Sequence, residues 1–143
     1  VGMLNDHAYL QDPGKEGDSR WVHRLTVPPT RYDQRHDLGT DAGKIFSGLT
    51  QMIRLRQTHQ AFAGNQLIGF RTGNAAVLGF TRPGPQGSPS ILVLANYSER
   101  HQAIEAGVFS ALPAHVRDLI SDSLPHLRQG LELRPYQLMW LVV

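Results

Sequence analysis

The stretch TDAGKIFSGLTQMIRLRQTHQ, Thr40 to Gln60, divides the chain and decides how the rest is read. Its apolar residues Ile45, Phe46, Leu49, Met52, Ile53 and, at the edge, Leu55 recur at i, i+1, i+4, i+7 and i+8, the spacing of one helical face. Thr40 and Asp41 place a capping oxygen and an acid where a helix has unpaired N–H groups and the positive end of its dipole. Arg54, Arg56 and His59 stand near the other end, which favours cations. The spacing predicts one amphipathic helix of about five turns. No sustained periodicity precedes it, and short apolar runs between turns follow it. The chain thus reads as a long polar segment, a helix and a small β domain.

The first segment, Val1 to Gly39, holds Asn5-Asp6, Asp12-Pro13-Gly14, Gly17-Asp18-Ser19 and Pro28-Pro29, a density of turn formers that leaves little room for regular structure. Tyr9, Leu10, Trp21, Val22, Leu25, Val27 and Tyr32 are too apolar for a solvated linker. A loop packed on a partner outside the chain is expected.

After the helix, Leu67 to Arg71 and Ala75 to Arg82 read as strands joined through Thr72-Gly73-Asn74, a hairpin-like connection whose Gly and Asn tolerate positive φ. Pro83 to Pro89 reads as a surface loop. Ile91 to Ala95 is continuously apolar between turn residues, the mark of a strand buried on both faces. Asn96 to Glu99 turns the chain towards His101 to Ile104. Val116 to Ile120, Leu131 to Leu133 and Leu138 to Val143 complete the strand candidates, with Pro135 at an edge or corner. Short strands at this spacing predict an antiparallel β-sandwich in a mainly β chain. Phe80, Tyr97, Tyr136 and Trp140 fall on strand-like segments and are expected in its core.

Composition narrows the function. A chain of 143 residues that is 41% hydrophobic can bury one core. Its apolar runs are far shorter than the roughly 20 residues that span a bilayer. Val1 is not a natural start, so an upstream segment could have carried a targeting peptide. With no cysteine there is no disulfide framework, thiolate nucleophile or Cys-ligated zinc, and the compartment stays open between cytoplasm and secretion. The sequence pI near 9.3 suggests nucleic acid, but Lys plus Arg number 14 against 12 for Asp plus Glu, and the arginines are scattered. Neither nucleic acid nor membrane is an expected partner.

No complete catalytic constellation is visible, and no cofactor is implied. His23, His36, His59, His101, His115 and His126 never form a helical i, i+4 metal pair, and Gly17, Gly39 and Gly43 make no phosphate cradle. A structural or surface role is expected for each histidine. The exception is the arginine-rich run Asp18-Ser19-Arg20-Trp21-Val22-His23-Arg24, which on its own reads as a solvated or salt-bridged loop.

That run gains weight from its company. Gly2-Met3-Leu4-Asn5-Asp6, Asp18-Ser19-Arg20-Trp21 with His23-Arg24, the helix ending Ile53-Arg54-Leu55-Arg56-Gln57, Asn96-Tyr97-Ser98-Glu99, Asp118-Leu119-Ile120 and Pro135-Tyr136-Gln137-Leu138-Met139-Trp140-Leu141 occur in this order. Together they resemble the carboxy-terminal end of an amylosucrase, a sucrose-using member of the alpha-amylase superfamily. Sucrose hydrolases of the same lineage are nearly as similar.

The resemblance implies that Val1 and Gly2 follow the eighth strand of a (β/α)8 barrel, with Asn5 to Gly39 as the loop at its carboxyl face and Thr40 to Gln60 as the eighth helix. Residues 1–60 would then end the catalytic barrel, and residues 61–143 would form the antiparallel C-terminal domain. Active sites of this architecture lie in such loops. The resemblance further implies that Arg20 pairs with an aspartate outside this chain to close the glucose pocket, with Asn5, Asp6, Trp21 and His23 near the site. The catalytic nucleophile and general acid would also lie outside the chain. Related exo-acting glucosidases follow the comparable arginine with Pro-Met, whereas Trp21-Val22-His23 stands here, a departure that fits the sucrose branch. The implied partners are sucrose, an α-glucan and the remainder of the barrel. A non-catalytic glucan-binding β module is the alternative of another class.

Overall fold

The computed structural model describes residues 5–24 and 27–143, so the roles expected of Val1, Gly2 and Leu25 lie outside the described residues. The chain divides into two compact units, Val1–Thr50 and Gln51–Val143.

In the first unit the turn-rich segment is more regular than its composition suggests. It forms single 3-10 turns at Ala8–Gln11, Ser19–His23 and Gln34–His36, and a short helix α1, Pro29–Asp33, that begins on the proline best suited to a first helical position. Aspartates organise these turns. Asp6, Asp12 and Asp37 each accept a backbone N–H from the residue two further on, at 2.9, 3.0 and 2.8 Å.

Helix α2 runs Asp41–Thr58, within the predicted span. Thr40 caps it as expected: its Oγ1 accepts from Gly43 N–H at 3.1 Å and donates to Asp37 O at 2.8 Å. Gly43 is required there, because a Cβ would stand 1.9 Å from the Asp37 carbonyl oxygen. At the far end Thr58 Oγ1 donates to Arg54 O at 3.1 Å, and His59 Nδ1 meets Leu55 O at 2.8 Å, so that ring nitrogen carries the proton. Of the predicted apolar face, Ile45, Phe46, Leu49 and Ile53 are exposed. Met52 and Leu55 are covered.

The second unit is an antiparallel sandwich. Strands β1 (Ile68–Gly69), β2 (Val77–Arg82), β3 (Ile91–Asn96), β5 (Arg117–Asp118) and β7 (Leu138–Val142) form one sheet in the order β1-β2-β3-β7-β5. Strands β4 (Gln102–Ile104) and β6 (Leu131–Leu133) form a second. Alternation along β3 and β7 explains why both are apolar throughout. Leu92, Leu94, Met139 and Leu141 face the main core, which they share with Ile104, Leu133, Phe109 and Leu127. Ile91, Val93 and Trp140 face the opposite side, where Ala61, Phe62 and Leu119 cover them and Met52 and Leu55 pack alongside. A central strand with both faces covered carries no polar face.

Three expectations are corrected. Tyr97 and Tyr136 are not core residues: they are 63% and 68% exposed, because both sit in turns beyond strand ends, Tyr136 with φ 55°. The strand expected over Val116 to Ile120 shrinks to Arg117–Asp118, because the buried Asp118 carboxylate folds the chain back on itself by accepting from Ile120 N–H and Ser121 N–H. The strand expected over Leu67 to Arg71 is reduced to Ile68–Gly69. Its pairing with β2 is nonetheless the predicted hairpin, with Gly73 at φ 72° in the connection.

Two buried polar side chains fasten the sandwich. Asn96 Nδ2 donates to Arg100 O at 2.7 Å and Arg134 O at 2.9 Å, while its Oδ1 accepts from Ser98 N–H and Ser98 Oγ at 2.8 Å each. Asp118 Oδ1 accepts from Trp140 N–H at 2.8 Å and Oδ2 from Ser121 Oγ at 2.6 Å. These contacts give a structural reason for two of the motifs singled out in the sequence.

Candidate functional site

The arginine-rich run is built by one aspartate. Asp18 has an extended backbone, φ −125° and ψ 97°, and its Oδ1 accepts from Arg20 N–H at 3.0 Å, starting the 3-10 turn Ser19–His23. The same carboxylate takes both prongs of the Arg20 guanidinium, Nε to Oδ1 at 2.8 Å and Nη2 to Oδ2 at 2.9 Å. The fork is the two-point geometry that guanidinium and carboxylate favour. Hydrogen bonds from the Arg20 side chain and backbone hold the Asp18 carboxyl below the usual aspartate range, and the partner carboxylate raises Arg20. The Arg20 side chain is 76% exposed, and Nη1 donates to no protein acceptor among the described residues, which leaves donors for a further ligand.

Two cations approach the Trp21 ring, Lys15 Nζ at 5.0 Å and Arg24 Cζ at 5.1 Å from its centre. Such contacts steady an indole that is only half-buried. Lys15 is itself anchored to Asp12 at 2.7 Å. Asp6 N–H donates to Val22 O at 3.0 Å, so Asp6 and the run share one backbone link.

Of the residues expected near the site, Arg20 and Trp21 are thus brought into one turn and Asp6 is tied to it. Asn5 and His23 are exposed, and among the described residues no hydrogen bond or ion pair joins either to Arg20. Asp18 stood in the quoted run without a role of its own. Its signal was present, an aspartate two positions before an arginine at the start of a turn. The donors left on Arg20 are of the kind that suit an anionic or hydroxyl-bearing group. Among the described residues no three His, Asp or Glu side chains gather as a metal site. Nor is any described helix long and apolar enough to cross a membrane.

The fold defines the class: an antiparallel β domain of the kind that closes alpha-amylase-family enzymes, preceded by a helix and a long loop. Residues 70–142 match the family described as the amylosucrase C-terminal domain, and the chain belongs to that family. A curated relative, glucosylglycerate phosphorylase of Escherichia coli (strain K12), is 27% identical over 142 residues, covering 99% of this chain and 24% of its own length. The chain therefore spans about a quarter of that relative. Among solved structures, AmyP in complex with maltotriose aligns with TM-score 0.61 and 13% identity over 75% of this chain and 22% of its own. Trehalulose synthase MutB from Pseudomonas mesoacidophila MX-45 aligns with TM-score 0.55 and 22% identity over 82% of this chain and 21% of its own. Both support the fold.

Proposed function

We propose that this chain is the carboxy-terminal part of a retaining glucosyltransferase that takes glucose from sucrose, releases fructose and passes the glucosyl group to an α-1,4-glucan. Residues 1–60 supply the loop after the last barrel strand and the last barrel helix, and residues 61–143 supply the C-terminal domain. The observation that carries the reading is family membership of residues 70–142, downstream of helix α2 and of a loop that presents a two-pronged arginine. The exposed apolar residues of α2 support it as well, since a barrel helix needs such a face against its strands.

On this reading Arg20 positions the glucose moiety and a pocket aspartate, while two carboxylates on earlier barrel strands perform the double displacement. Retention of a glucosyl group on the enzyme needs a nucleophile, which positioning cannot replace. The isolated chain therefore has no turnover.

A second reading is favoured by the curated relative, whose name denotes phosphorolysis. Water as acceptor, the hydrolase variant, is the third outcome of the same chemistry. The test is to give the full-length enzyme sucrose with glycogen, with inorganic phosphate and with neither, and to identify the glucosyl product. Elongated glucan with stoichiometric fructose is expected. Glucose 1-phosphate as the dominant product would establish the phosphorylase reading, free glucose the hydrolase. No fructose under any condition removes sucrose as the donor.

A further inference from the structure

The geometry points to a chelating site for a divalent transition-metal ion at His115 and His126, where two imidazoles face each other across the base of a loop. The two residues form an isolated antiparallel bridge. Leu127 N–H donates to Ala114 O at 2.7 Å and Val116 N–H to Pro125 O at 3.4 Å, so the ladder bonds flank His115 and His126 and do not join them. Such a pair is the one in which opposed side chains come closest. Accordingly the ring centres are 4.5 Å apart, tilted by 40°.

Both rings are open to a ligand. His115 is exposed and His126 half-buried. Among the described residues histidine hydrogen bonds involve only His59 and His101, so all four nitrogens of the pair are without a protein partner. The arginines two residues beyond each histidine are already engaged: Arg117 pairs with Asp122 at 2.6 Å, and Arg128 donates to Phe109 O and Leu112 O. Two imidazoles on opposed segments suit Cu²⁺, Ni²⁺ or Zn²⁺, with water completing the shell. The bound ion ties residue 115 to residue 126 and so clamps the loop that carries β5 and Asp118.

Cu²⁺ is the probe. At one equivalent the full chain is expected to show an electron paramagnetic resonance spectrum with two coordinating ring nitrogens. Its affinity should exceed that of a single-histidine site by roughly 100-fold, the gain from holding two ligands together. Thermal stability should rise with added Cu²⁺, as linkage requires. His115→Phe and His126→Phe keep an aromatic ring at each position but remove the nitrogens, and each should abolish both effects. His101→Phe should change neither. A single-nitrogen spectrum, or an affinity in either paired variant equal to that of the unaltered chain, overturns the site.

Discussion

Asp18 grips Arg20 at two points, 2.8 and 2.9 Å, within a turn that the same carboxylate starts. The guanidinium is therefore oriented by a residue of its own loop. A planar fork pre-set in this way loses little freedom when it meets a second carboxylate or a sugar hydroxyl.

If Arg20 serves the glucose pocket of the full-length enzyme, Arg20→Ala should lower kcat/KM for sucrose by roughly two to four orders of magnitude, the loss expected when a buried carboxylate is left unpaired. Arg20→Lys should recover little of it, because lysine keeps the charge and loses the fork. Arg24→Ala is the comparison, since Arg24 rests on the Trp21 ring and holds no carboxylate among the described ion pairs. Near-normal kcat/KM in Arg20→Lys would remove the assignment.

The Asp18 carboxyl should titrate below the ordinary aspartate value, because Arg20 bonds to its charged form. Its folded value is depressed, so any stabilisation from the pair is in place above the unfolded value and disappears as pH falls through the folded one. Carboxyl carbon shifts followed by NMR should return towards the ordinary midpoint in Arg20→Gln. An unchanged midpoint would mean that the pair does not persist in solution.

Two glycines of α2 should respond with opposite sign to alanine. At Gly48 a Cβ meets nothing within 4 Å, so Gly48→Ala should stabilise by up to about 1 kcal/mol through helix propensity. At Gly43 the new Cβ would overlap the Asp37 carbonyl, and Gly43→Ala should destabilise the Thr40 cap junction. Amide exchange over residues 40–47 reads both; equal protection in the two variants contradicts the packing at Asp37.

In the sandwich, Phe109→Ala should cost about 3–5 kcal/mol in urea unfolding, because Phe109 is fully buried in the main core. Leu78→Ala, at a position 43% exposed, should cost far less. Comparable losses at the two positions would place the core elsewhere.

Asn96→Ala should cost about 1–3 kcal/mol, since it removes the amide that serves the buried Leu133 carbonyl and the partly buried bonds to Arg100 O and Arg134 O. Asn96→Asp should be no better, as a carboxylate offers those carbonyls no donor. Wild-type stability of Asn96→Asp would show that water replaces the amide.

What was legible in the sequence is what neighbouring residues decide among themselves. The helical spacing from Ile45 to Leu55, the Thr40 cap and the apolar run Ile91 to Ala95 each carry their whole signal within a few turns or one strand, and each is present in the structure. The order of motifs likewise sufficed for the family. Other features depended on partners distant along the chain. That Met52 and Leu55 are partly buried follows from where Phe62 and Trp140 lie. That Tyr97 and Tyr136 face solvent follows from where β3 and β7 end, which strand pairing sets and propensity does not. His115 and His126 became a pair only through ladder register, and periodicity along one segment carries no information about which residue of another will stand opposite it.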